Sequence, residues 1–215
     1  MYRLRPSRSP LRTLRVPQEA AAAEEALHYH DRRFDREAVK ILPGEYFATA
    51  RDVLLVTLLG SCVAACIRDR DFGIGGMNHF MLPEIPSAGA DGESARYGMN
   101  AMELLINQLM KKGARRSALE AKVFGGAAVL RGMQSMNVGE KNATFVRGYL
   151  AREGIPIVSE DLLDVHPRKV HFFPRSGRVF VQSLPIAQEE GVRSAEQLYL
   201  SRLRKPEPSG EVELF

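Results

Sequence analysis

Residues 60–83 read GSCVAACIRDRDFGIGGMNHFMLP. The run CVAACI (62–67) is apolar at every position, the pattern of a strand buried on both faces rather than one facing water on one side. RDRDFG (68–73) supplies polar turn residues and a glycine, and GIGGMNHFML (73–82) returns as a second short apolar run. Paired as neighbouring strands, the two runs bring Cys62 and His79 to one edge of a sheet. Gly60 and Ser61 stand just before Cys62, in a small-residue turn where backbone can approach a bound group and leave N–H groups free to point at it.

Further runs extend the pattern on both sides. Upstream, PGEYF (43–47) is a turn entering an extended segment, and VLLVTLL (53–59) is a strand. Downstream, SARYGMNAMELLINQLMKK predicts a helix over 94–112, with Ala95, Met99, Met102, Leu105, Ile106 and Leu109 at spacings of three and four and the methionines as core filler. Ser94 is a suitable cap for its start and Gly113 for its end. AKVFGGAAVL is a strand breaking at Gly125-Gly126, EKNATFVRGYLARE a helix ending at Gly154, and IPIVSEDLL a strand. RKVHFFP-RSG-RVFVQSL predicts a hairpin. EEGVRSAEQLYLSRLRK predicts a last helix, stopping before Pro206.

The expected fold is α+β, with mixed β-sheets in a sandwich-like arrangement and helices packed on the outside. Residues 1–40 are expected to be an N-terminal extension, partly disordered or helical, with an EAAAAEEAL segment. Residues 41–187 form the domain, and 188–215 a C-terminal helix and tail.

The 215 residues suit one core with extensions. The net charge is +4, but Arg3, Arg5, Arg8, Arg12 and Arg15 lie before position 17 without an acidic residue, which leaves −1 for the rest. A basic tail without a basic, aromatic-interleaved surface argues against nucleic-acid binding. No run has the length of a membrane helix and no apolar block opens the chain, so membrane insertion and secretion are not expected and a cytoplasmic location is. Two cysteines spaced C-x-x-x-C make no disulfide framework.

Cys62 admits three readings. It is a small buried hydrophobe, as expected of Cys66; it is part of a metal site with Cys66 and His79, which lacks an evident fourth ligand; or it is a nucleophile with His79 as its base. A free thiol ionises near pH ~8.5 and needs a neighbouring imidazole to attack at neutral pH. Such a pair suits acyl chemistry on an amide or ester, with backbone N–H groups at Gly60 and Ser61 as oxyanion donors. A third group must orient the imidazole, and Thr57 is the nearest upstream polar candidate. His166 and His171 flank the strand KVHFF, where alternation gives His171 a place on the sheet surface. His28 and His30 carry no assignable chemistry.

TLLGSCVAACIRD, GIGGMNHFMLP, KVFGGA, NATFVRGYLAREGIPIVSEDL and RKVHFFPRSGRVFV together resemble the bacterial chemoreceptor glutamine deamidases, the CheD family, from about Gly44 to Leu184. The resemblance implies a cytoplasmic cysteine hydrolase of bacterial chemotaxis that converts selected glutamines of methyl-accepting chemotaxis receptors to glutamate. It places the nucleophile on Cys62, the histidine on His79 and the threonine on Thr57. It implies no metal and no organic cofactor, and a CheC-type phosphatase as a competing partner in hosts that have one. The alternative is an adaptor without catalysis that binds receptors or such a phosphatase.

Overall fold

A computed structural model describes residues 28–82, 90–128, 133–185 and 189–203. Ten strands form two five-stranded sheets: β1 (His28–Asp31), β2 (Arg36–Lys40), β3 (Tyr46–Thr49), β4 (Leu54–Leu59), β5 (Val63–Asp69), β6 (Gly75–Asn78), β7 (Leu119–Gly125), β8 (Ile157–Leu162), β9 (Arg168–Phe173) and β10 (Arg178–Ser183). The first sheet has the order β1-β2-β4-β9-β10 and the second β3-β6-β5-β7-β8. Both are mixed, because β2 pairs parallel with β4 and β7 parallel with β8 among otherwise antiparallel neighbours. The helices are α1 (Ala90–Lys111), α2 (Met133–Arg152) and α3 (Glu189–Leu203).

Alternation along the central strands builds three layers. Leu55, Leu59, Cys62, Ala64, Cys66, Val170 and Phe172 fill the space between the sheets. Val63, Ala65 and Ile67 of β5 face the other way, against Met102, Leu105 and Ile106 of α1 and Val146 and Leu150 of α2. The unbroken apolar run in β5 follows from this position: both of its faces are core. The architecture is the expected α+β sandwich with helices outside.

Both helix ends follow from glycine. Gly113 (φ +97°) and Gly154 (φ +67°) adopt the left-handed conformation, and the next residues reach back, Ala114 N–H to the Leu109 carbonyl and Ile155 N–H to that of Leu150. The start of α1 differs from expectation. It begins at Ala90, so Ser94 lies inside the helix and does not cap it; the apolar stripe only marks where the helix meets the core.

The boundary at residue 40 also moves. Residues 28–40 form a β1–β2 hairpin of the first sheet, with Ala38 and Val39 buried. The alanine-rich segment and the arginine-rich start lie outside the described residues, as does the tail after position 203. His171 faces away from Val170 and Phe172 as alternation requires, yet it is buried, because Phe34 from the β1–β2 turn covers it at 5.1 Å between rings.

Candidate active site

Gly60, Ser61 and Cys62 are the crossover from β4 in one sheet to β5 in the other. Their carbonyls are all tied to the scaffold. Gly60 O accepts from Ala127 N–H at 2.8 Å, Cys62 O from Gly126 N–H at 2.7 Å, and Ser61 O from the Nδ2 of buried Asn142 on α2 at 2.8 Å. Asn142 Oδ1 in turn accepts from Leu82 N–H at 2.8 Å. With the carbonyls held on one side, three successive N–H groups project together into the site, a concave donor set suited to an anion.

The glycines of KVFGGA permit this approach. A Cβ on Gly125 (φ +109°) would lie 2.2 Å from the Cys62 carbonyl oxygen, so no side chain is tolerated there. The support below is held by buried Arg168, which donates to Gly125 O at 3.3 Å and Leu163 O at 2.6 Å and pairs with Asp161. Leu163 and Asp164 sit at positive φ beside it, a strained turn whose backbone bonds to Gly125 and Ala128.

His79 reaches the same place from β6. Its N–H donates to Glu45 O and its carbonyl accepts from Gly44 N–H, while Phe80 exchanges two 2.9 Å hydrogen bonds with Val63, the residue after Cys62. Thr57 Oγ1 donates to Ile41 O at 2.8 Å and lies 2.8 Å from His79 Nδ1. Since the hydroxyl proton is committed to a carbonyl, Nδ1 must carry the hydrogen that bridges to Thr57. That leaves Nε2 with the lone pair, and among the described residues the buried Nε2 has no hydrogen-bond partner.

The third arrival was not expected. Glu196, buried on α3, places its carboxylate in the donor set: Oε1 accepts from Gly60 N–H (2.9 Å) and Cys62 N–H (3.0 Å), and Oε2 from Ser61 N–H (3.1 Å) and Ser61 Oγ–H (2.7 Å). Among the described residues no lysine or arginine forms an ion pair with it. Three backbone N–H dipoles and the Ser61 hydroxyl compensate a buried charge.

Cys62 Sγ, a His79 ring nitrogen and a Glu196 oxygen lie within 4.8 Å of one another. Among the described residues this trio, and not one including Cys66, is what a metal would have to use. Each Glu196 oxygen already accepts two hydrogen bonds, so the carboxylate has no free lone pair to give an ion. Burial, and after it the Glu196 charge, hold the Cys62 thiol well above its ordinary value. Burial outweighs the same charge at His79, which is pushed down to about 4. The covered site therefore holds a neutral thiol beside a neutral imidazole.

Glu196 and Asn142 escaped the sequence reading. A signal for Glu196 exists: it falls in the stripe Val192, Glu196, Tyr199, Leu200, where an acid interrupts an otherwise apolar face. Asn142 lies within a helical pattern that offers no comparable mark.

Residues 81–183 match a family model described as CheD, chemotactic sensory transduction, a span that begins after both Cys62 and His79. Longer similarity comes from curated proteins called "Probable chemoreceptor glutamine deamidase CheD". The one from Herminiimonas arsenicoxydans is 59% identical over 87% of this chain and 93% of its own length. That from Thiobacillus denitrificans is 61% identical over 87% and 94%, and that from Laribacter hongkongensis 49% over 94% and 100%. With relatives this similar matched over nearly their whole length, the chain belongs to the CheD family.

Proposed function

We propose that this protein hydrolyses glutamine side chains of chemotaxis receptors to glutamate, with Cys62 as nucleophile, His79 as general acid and base, and Thr57 orienting the imidazole. The observation that carries the proposal is the donor set of Gly60, Ser61 and Cys62 beside Cys62 and His79, which already holds a side-chain carboxyl group presented by a helix. A receptor glutamine offers the same group as its amide.

With the carboxamide oxygen on those N–H groups, His79 Nε2 takes the thiol proton and the Cys62 sulfur bonds to the carboxamide carbon. The tetrahedral oxyanion is stabilised by the same donors. As the C–N bond breaks, His79 returns the proton and ammonia leaves. A water deprotonated by His79 then attacks the thioester, the S–C bond breaks, and glutamate is released with Cys62 regenerated. No step uses a metal or an organic cofactor. Each turnover adds a negative charge to a receptor helix, where like-charge pairs at helical spacing weaken packing.

No helix among the described residues is long and apolar enough to cross a membrane. In a host that has one, a CheC-type phosphatase is a candidate competitor for the same surface, a reading that rests on family membership. The test is mass analysis of a receptor-helix peptide after incubation: the parent converts glutamine to glutamate and Cys62→Ala does not. Conversion by the Cys62→Ala protein at the parent rate would end the catalytic reading.

A further inference from the structure

Helix α3 joins neither sheet and is seated by one face. Val192, Glu196 and Tyr199 are buried at spacings of four and three, while Leu198 on the opposite side is 56% exposed. The Tyr199 ring lies where a Cβ on Gly44 would come within 2.6 Å, so the glycine at φ +88° makes room for it. Gly44 is also the residue whose N–H holds the His79 carbonyl. The Tyr199 hydroxyl meets that of Tyr97 on α1. The helix thus spans the site from the His79 support on one side to the Cys62 crossover on the other, and Cys62 is fully buried beneath it.

The group it delivers is a glutamate side chain borne on a helix, which is chemically the product of deamidating a helical glutamine. A carboxylate there satisfies every donor the transition state needs and offers no ammonia to lose. Attack on it leads nowhere. It also holds the dyad in its resting form, since its burial of the thiol and its charge both oppose ionisation of Cys62.

We propose that α3 is a built-in product mimic: Glu196 occupies the carboxamide site in cis, and a substrate helix reaches Cys62 only when α3 has moved out. The proposal rests on the deamidase reading for the identity of the competing group, but its first consequence is physical exposure of Cys62. A site open only about 0.1–10% of the time reacts slower by about ten- to a thousandfold than one held open. Occupancy by α3 also makes product glutamate and α3 rivals for one set of donors.

Two full-length variants test this: Glu196→Ala, which removes the occupying group, and Val192→Glu, which places a charge in the seated face without touching the donors. Thermal melting establishes that each folds. Alkylation of Cys62 by iodoacetamide, read on its own peptide, and conversion of a receptor-helix peptide are measured side by side. Both rates are expected to rise at least about tenfold in either folded variant. Equal alkylation in the parent and the folded variants, with receptor conversion intact, overturns the product mimic and leaves the deamidase standing. Faster alkylation with no receptor conversion by any form supports α3 as the cover of Cys62 and overturns the deamidase, and with it the identity of Glu196 as a product mimic.

Discussion

Cys62 and Cys66 are four residues apart, face the same space between the sheets, and are both fully covered. Burial raises both thiols above their ordinary range; at Cys66 the Lys122 charge pulls weakly the other way, and at Cys62 Glu196 adds to the rise. By acidity alone neither looks like a nucleophile. Their surroundings separate them. Cys66 sits within a strand, its backbone in register with Met77 and Lys122. Cys62 stands at the strand's mouth, where the backbone N–H groups of 60–62 and the Nε2 side of His79 converge. A cysteine's role is set by the donors and bases around it, and the raised pKa of Cys62 comes first from burial and only then from the Glu196 charge.

Exchanging the two cysteines for alanine in turn breaks the comparison most severely. Cys62→Ala is expected to lose about 10⁴-fold or more of the receptor-peptide conversion rate, since the covalent route disappears. Cys66→Ala is expected to retain full activity at a stability cost of about 1 kcal/mol, read by chemical denaturation. Comparable activity losses in both would mean that burial, and not neighbourhood, is what matters. His79→Ala should cost about 10²- to 10⁴-fold in kcat and leave Cys66 alkylation unchanged. Thr57→Val is the gentlest probe. It removes the acceptor that fixes the Nδ1–H tautomer, and one such hydrogen bond of about 1.5 kcal/mol corresponds to about a tenfold fall in kcat with KM little altered.

The site was legible to the degree that its residues are local in sequence. Cys62 and His79 border the paired neighbours β5 and β6, and Gly60 and Ser61 adjoin Cys62 in the chain, so pairing those two strands was enough for them; Thr57 lies on β4 of the other sheet, and its contact with His79 crosses between the sheets. The Gly125-Gly126 break was visible as a strand ending, but its purpose was not: only the fold shows that the Cys62 carbonyl passes where a side chain would be. Glu196 reaches Gly60 across 136 positions of chain, and no local pattern encodes such a distance. The β1–β2 hairpin was missed for a different reason. REAVK buries only Ala38 and Val39 with charges on either side, too short an apolar run to stand out from the arginine-rich segment before it.

The most direct measurement makes the occupant a substrate. In Glu196→Gln, α3 presents a carboxamide to the donors of 60–62 beside Cys62, and mass analysis of the α3 peptide follows its fate. Conversion of that amide to the acid is expected in the protein with Cys62 intact, and no conversion when Glu196→Gln is combined with Cys62→Ala. An amide that persists while the same preparation converts receptor glutamine, or one lost equally fast without Cys62, would contradict it.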